Sequence, residues 1–128
     1  MEAMTAEAFL AAYAAGRRDF RGVDLSCARL CDARLAGANM SGARLANADL
    51  AGADLTGADL SGANLAGADL TDTNMTGARL AGANLSGARL AVADLAGADL
   101  AGADLTDTNM TGARLADTNM SGARLARA

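Results

Sequence analysis

A large apolar residue recurs at every fifth position of this chain, from Phe20 to Leu125, with no insertion. The twenty-two units share the pattern Ala-(Asp/Asn/Arg)-Leu-(Ala/Ser/Thr)-Gly, and Gly fills the last place in fourteen of them. On an α-helix, residues five apart lie about 140° from one another, so this spacing makes no apolar stripe. On a strand, an odd spacing sends successive Leu side chains to opposite faces. The chain must therefore turn once per unit, with each Leu and the Ala two places before it pointing inward.

The last place of each unit predicts where the turn lies. Gly there suits the second central residue of a type II turn, which needs a positive φ. Asp and Asn also tolerate this left-handed geometry, and they replace Gly at Asp32, Asn47, Asp72, Asp107 and Asp117. Cys27 and Val92 do not fit this rule, so the sequence predicts different turns at those two corners.

The units Ala53-Asp54-Leu55-Thr56-Gly57 and Ala58-Asp59-Leu60-Ser61-Gly62 match the motif A(D/N)LXX, and the chain resembles the pentapeptide-repeat family. The resemblance implies an all-β solenoid, a right-handed quadrilateral parallel β-helix with four units per coil. Twenty-two units would make about 5.5 coils, a rod roughly 26 Å long at about 4.8 Å per coil. We expect this rod to occupy residues 18–128, after an N-terminal capping segment at 1–17.

The capping segment has helical rather than fivefold spacing. Phe9, Leu10 and Tyr13 follow the spacing of an amphipathic helix, Thr5 is a suitable N-cap, and Gly16 is a suitable stop. The sequence predicts one helix over 5–15, lying across the first coil, where it covers open strand edges. A targeting or partner-binding role for the helix is the alternative. Phe20, the one aromatic residue at a unit centre, is expected to fill the space between helix and coil.

The composition argues against several classes of partner. The net charge is −4, which argues against the basic face that direct nucleic-acid binding requires. No apolar run approaches the ~20 residues of a membrane span, and the N-terminus does not resemble a secretion signal. Cys27 and Cys31, both expected to face outward, are interpreted as free thiols of a cytoplasmic protein, with a disulfide across one corner as the alternative.

The residue before each central Leu is expected to project outward, so that residues twenty apart stack in columns. These columns mostly place Asp beside Arg, as in Asp24 over Arg44, and only Asp49 with Asp69 places like charges together. Exposed pairs of this kind contribute little to stability, but they would help to set the register. We interpret these charges as mainly structural.

The two ends of the predicted rod differ. After Leu125 the chain has only three residues and no helix to cover the final coil. An uncovered coil offers strand edges for pairing, so the sequence predicts an end-to-end homodimer, with a frayed monomer as the alternative. The candidate interface residues are Met120, Arg124, Leu125 and Arg127.

The residues offer little for catalysis. The chain contains no His and no Lys, its carboxylates form a regular exposed array, and no base is placed to activate a Ser or Thr. We expect no enzyme activity, cofactor or metal. Three Thr residues replace an inward Ala, and their hydroxyls are expected to be buried and to find carbonyl acceptors: Thr73, Thr108 and Thr118.

Two functional classes follow. The first is a protein-interaction or scaffold module whose flat faces or open end bind a protein that the sequence does not identify. The second is suggested by the family resemblance, because some members mimic DNA and regulate DNA gyrase or other type II topoisomerases. That role requires a continuous negative face, whereas Arg interrupts the columns here. A spacer rod, or an idealised engineered repeat without a ligand, is a further possibility.

Overall fold

The computed structural model describes residues 2–128 and contains a right-handed quadrilateral β-helix with four units per coil. Every β-bridge from Asp19 onward is parallel and joins a residue to the one twenty positions later. The strands are single bridge residues, stacked into four ladders that form four flanks, each named here after its first residue. The four flanks are the Asp19 flank (19, 39, 59, 79, 99, 119), the Asp24 flank (24, 44, 64, 84, 104, 124), the Arg29 flank (29, 49, 69, 89, 109) and the Arg34 flank (34, 54, 74, 94, 114).

A tight turn separates each flank from the next. In a typical turn the amide of Ala53 donates to the carbonyl of Leu50 at 3.0 Å, and the residue between them at the corner, Gly52, has a φ of 71°. The prediction of different turns at Cys27 and Val92 is wrong, since both have a φ of 61°. The stacked coils fix the backbone at these corners, so two residues with a poor left-handed propensity adopt the common geometry.

The coils are held together by backbone hydrogen bonds on both sides of each unit. Leu50 donates to the carbonyl of Asp69 in the next coil at 2.8 Å, and Asp54 donates to that of Ala33 in the preceding coil at 2.8 Å. The corner amides take part as well, since Gly52 donates to Thr71 at 2.9 Å. Each coil is therefore joined to its neighbours along its whole length, as a stacked repeat requires.

The core consists of the central Leu and Met residues and the inward Ala residues. From Leu35 to Leu105 these side chains are essentially inaccessible to solvent. The predicted hydroxyl contacts are confirmed: Thr73, Thr108 and Thr118 donate to the carbonyls three residues earlier at 2.8, 2.9 and 2.8 Å. Thr73 and Thr108 are buried as predicted, but Thr118 is only partly buried. The interior of 2–128 is thus filled, and it contains no pocket.

Helix α1, Ala6–Ala14, covers the first coil. Its N-cap is Thr5, whose Oγ1 accepts a hydrogen bond from the amide of Ala8 at 3.1 Å. Phe9 is fully buried and meets the ring of Phe20 edge to face, with centroids 4.6 Å apart. Tyr13 donates its hydroxyl to the carbonyl of Ala36 at 2.7 Å. The helix, its cap and its packing on Phe20 confirm the prediction.

The residues before α1 add a rung that the sequence pattern does not reveal. Ala3 forms a parallel bridge with Asp24, and the amide of Asp24 donates to the carbonyl of Glu2 at 2.7 Å. Arg17, just after the helix, pairs with the Glu2 carboxylate at 2.7 Å. The N-terminal edge of the Asp24 flank is therefore paired before the helix crosses the coil.

Candidate functional site

The outward Asp and Asn residues of the flanks bind their own turns. The Oδ1 atom of Asp54 accepts hydrogen bonds from the amide and the hydroxyl of Thr56, at 3.0 and 2.6 Å. Asn64 does the same with the amide of Ala66 at 3.0 Å. This Asx-turn contact needs a side-chain oxygen rather than a charge, which explains why both Asp and Asn occur at this place.

The charged columns are in register but do not form the expected contacts. The bridge between Asp24 and Arg44 confirms their stacking, yet within 2–128 the three side-chain ion pairs lie elsewhere: Arg17 with Glu2, Arg21 with Asp19, and Arg127 with Asp107. The prediction of Asp–Arg contacts along the columns is therefore wrong. The carboxylates turn toward their local N–H groups instead, and the column Arg side chains extend into solvent.

The hydrogen bonds of the turns also set the acidity of the carboxylates. The hydroxyl and amide of Thr56 lower the pKa of Asp54, and Arg34 lowers it to a smaller extent. Asp69 has a lowered pKa for the same reasons, through Thr71 and Arg89, and the amide of Ser61 lowers the pKa of Asp59. At the start of the rod, hydrogen bonds from Arg21 lower the pKa of Asp19 to about 2.

These lowered pKa values predict how stability depends on pH. A carboxyl group with a lower pKa in the folded state stabilises the fold above its unfolded value, which is about 3.9 for Asp, and loses that contribution as pH falls through the folded pKa. We therefore expect the free energy of unfolding to be flat from pH 7 to about 5 and to fall below about pH 4. Urea midpoints measured by circular dichroism across this range would test the prediction.

A matched variant isolates the contribution of the turns. Replacing Asp54, Asp59 and Asp69 together by Asn keeps an oxygen for each turn N–H but removes the titration. The triple variant should lose less stability than the parent chain between pH 5 and 2. An equally steep loss in both proteins would show that these three carboxylates do not cause the acid sensitivity.

The C-terminal end of the rod is open and partly apolar. Asp107 is the last corner residue whose amide donates to the next coil, and it donates to the carbonyl of Ala126 at 2.9 Å. Leu115 is 37% exposed and Leu125 is 45% exposed, whereas the unit centres of the middle coils are covered. This end contrasts with the N-terminal end, where α1 covers the core.

The structure places the four candidate interface residues in three different settings. Met120 and Leu125 are the partly exposed centres of the last coil. Arg124 belongs to the Asp24 flank and points away from the axis, since it bridges Asp104 in the ladder. Arg127 lies at a corner and forms an ion pair with Asp107 of the preceding coil, in which its Nε is 2.5 Å from Oδ1. Only Met120 and Leu125 therefore belong to the apolar surface of the open end.

The remaining candidate groups are the two cysteines. Cys27 and Cys31 are free thiols and both are exposed, as expected. Within residues 2–128 no group of three or more His, Cys, Asp or Glu side chains is placed to hold a metal ion. In the same range no helix is long and apolar enough to cross a membrane.

Comparison with known proteins identifies the repeat. The family model of pentapeptide repeats, in 8 copies, matches residues 19–52, 53–90 and 93–128. Among curated proteins there is no match. The chain is similar to the crystal structure of a pentapeptide repeat protein, Rfr23, from the cyanobacterium Cyanothece 51142, with a TM-score of 0.87 and 27% identity over 93% of this chain and 95% of the other.

Two further solved structures are more distant in shape. A pentapeptide repeat protein from Nostoc PCC 7120 is 31% identical over 96% of both chains, with a TM-score of 0.43. QnrB1, a plasmid-mediated fluoroquinolone resistance protein, is 18% identical over 82% of this chain and 64% of the other, with a TM-score of 0.34. The fivefold repeat, the four ladders and the family model agree, and the chain belongs to the pentapeptide-repeat family.

Proposed function

We propose that this chain is a non-enzymatic protein-interaction module that forms a homodimer through its C-terminal end and uses its flanks to bind a protein partner. The observation that carries the proposal is the open, partly apolar last coil. The exposed free thiols of Cys27 and Cys31 favour a reducing compartment, so we also propose that the protein acts in the cytoplasm.

The difference between the two ends supports the dimer. An uncovered coil offers backbone N–H and C=O groups to another chain, and a two-fold axis lets identical ends satisfy one another. Leu125 and Leu115 would become buried in such a contact, and each fully buried Leu contributes roughly 1.5–3 kcal/mol. A flat open end of this kind suits a partner with the same geometry, which a second copy provides.

Solution mass tests the dimer directly. At moderate salt, we expect light scattering to give twice the monomer mass for the intact chain and the monomer mass for Leu125→Arg, because the variant places a charge in the apolar contact. Val92→Arg is the matched control, since Val92 is also an exposed large apolar side chain, at 58%, but lies on a corner away from the end. A monomeric intact chain, or loss of the dimer in the control as well, would contradict the end-to-end contact.

The flanks do not favour the DNA-mimicking alternative. Each of the four ladders contains Arg, so no flank presents an uninterrupted column of carboxylates. A gyrase supercoiling assay separates this alternative from an interaction module that has another partner.

A further inference from the structure

The Asp24 flank carries an ordered charge pattern. Beyond the bridge from Ala3, its ladder has six rungs within the repeat, and successive rungs are joined by bridges and therefore lie about 4.8 Å apart. The order from the N-terminal end is negative, positive, neutral, neutral, negative, positive: Asp24, Arg44, Asn64, Asn84, Asp104 and Arg124. If a second copy of this column runs in the opposite direction beside the first, every charged residue faces a residue of opposite charge, and each Asn faces an Asn.

We propose that the Asp24 flank binds the Asp24 flank of a second copy of this chain, with the two rods antiparallel. The two-fold axis lies in the plane of the contact and passes midway between the Asn64 and Asn84 rungs. Asp24 then faces Arg124 of the other copy and Arg44 faces Asp104, each contact occurring twice. The contact is isologous, as a two-fold interface requires.

The same pattern disfavours the neighbouring arrangements. Parallel rods would place each of the four charged rungs opposite its own copy, which gives only like-charge contacts. A slip of one rung from the antiparallel register brings Asp24 against Asp104, or Arg44 against Arg124, twice in each case. Like charges across a contact suppress the wrong arrangement, so the column specifies both orientation and register.

The groups needed for this contact are available in the single chain. Arg44 and Arg124 are exposed, and within 2–128 neither guanidinium makes a hydrogen bond. Asp24 and Asp104 accept the hydrogen bonds of their turns through Oδ1, at 3.0 Å from the amides of Ser26 and Thr106, which leaves Oδ2 for a partner.

The flank is also flat enough for close approach. The residue two places after each rung is small, and the six residues are Ser26, Ala46, Ala66, Ser86, Thr106 and Ala126. Helix α1 crosses the coil end toward Ala36, which Tyr13 contacts, and so leaves the flank uncovered.

The Arg34 flank, on the opposite side of the rod, has a charge order that does not allow the same contact. The Arg34 flank reads positive, negative, neutral, negative, positive, with residues Arg34, Asp54, Asn74, Asp94 and Arg114. This charge order is the same when it is read from either end. Two antiparallel copies of the Arg34 flank in full overlap would therefore place like charges together at every charged rung. Opposite charges at every charged rung are therefore a property of the Asp24 column, whereas the Asp19 flank in the same arrangement pairs opposite charges only at its two central rungs, Asp59 and Arg79.

The flank contact is independent of the proposed end-to-end dimer, and the test removes that dimer first. All proteins carry Leu125→Arg, and sedimentation velocity is measured at low ionic strength, where exposed charges are least screened. We expect this parent to remain dimeric and to dissociate as salt is raised. Adding Arg44→Asp should weaken the dimer roughly tenfold or more, because the introduced carboxylate would face Asp104 of the other copy twice.

Two further variants separate the flank contact from effects within one chain. Adding Asp104→Arg to Arg44→Asp restores the opposite charges between copies and should restore the dimer, although it leaves like charges on adjacent rungs within each chain. Arg34→Asp places an Asp beside Asp54, as Arg44→Asp places one beside Asp24, and should leave the dimer intact. A monomeric parent at low salt, no rescue by the double exchange, or equal weakening by Arg34→Asp would overturn the proposal.

Discussion

Replacing Leu70 by Asp should unfold the central coils of the rod. Leu70 is fully buried at the middle of the chain, and its amide donates to the carbonyl of Arg89 at 2.7 Å. The change removes a burial contribution of roughly 1.5–3 kcal/mol and places a carboxylate in the apolar core, which costs several kcal/mol more. Because a domain of this size is stable by only about 5–15 kcal/mol, we expect loss of the cooperative melt in circular dichroism.

Two controls surround this position. Ala66→Asp adds the same charge one unit earlier, where the side chain is partly exposed and its turn partner is the neutral Asn64, and should change the melt only slightly. Leu70→Met keeps the volume and should cost less than about 1.5 kcal/mol, since Met75 already serves as a buried unit centre. An unchanged melt for Leu70→Asp would contradict the inward orientation of the unit centre.

The second large effect is expected at the cap. Phe9→Ala should destabilise the protein by about 3–5 kcal/mol, because it leaves a cavity between α1 and the first coil and removes the edge-to-face contact with Phe20. Coils of a stacked repeat depend on their neighbours, so the loss should begin at the N-terminal end. Hydrogen exchange resolved by residue should show faster exchange at the amides of Phe20, Gly22 and Leu25 than at that of Leu70.

A substitution on the exposed side of the same helix serves as the control. Ala11→Ser changes helix propensity by a few tenths of a kcal/mol and touches no core residue, so its urea midpoint should match that of the parent. If Phe9→Ala unfolded at the same urea concentration as Ala11→Ser, α1 would contribute little to the stability of the rod.

The sequence predicts most of this fold, partly from its periodicity and partly from the family it resembles. A Leu every fifth residue excludes a continuous helix and a flat strand and so requires one turn per unit. The four units per coil, which place Asp24 beside Arg44 as the bridge between them confirms, are what the resemblance to pentapeptide repeats implies. The helix at Ala6–Ala14 follows from spacing and capping residues alone. The turn in each unit and the helix depend on local periodicity, which is fully present in the chain.

The features that the sequence does not predict arise from competition between neighbouring groups. Asp24 has two possible partners, Arg44 across the ladder and the amide of Ser26 in its own turn, and the turn amide is closer. Val92 has a weak propensity for a positive φ, but the coils on either side fix its backbone. The bridge of Ala3 lies outside the fivefold frame and leaves no periodic signal.

The two candidate contact surfaces, the C-terminal end and the Asp24 flank, can be predicted from the sequence only in part. The candidate end-to-end interface is predicted from the last units of the repeat, and the structure adds that Arg127 is engaged with Asp107. The reversed charge order of the Asp24 flank is also present in the sequence. Comparing neighbouring residues of the column in pairs does not reveal it. The whole column has to be compared with the same column read from the other end.

The quarter-turn made by each five-residue unit sets a rule for how this protein can change in length. Inserting one unit at a corner would preserve every turn and every inward Leu, yet it would rotate all later residues onto the adjacent side. An insertion after Ala66 would replace Asn84, Asp104 and Arg124 on the Asp24 flank by Arg79, Asp99 and Asn119. The core therefore accepts insertions or deletions in steps of five residues, whereas the surface pattern survives only steps of twenty.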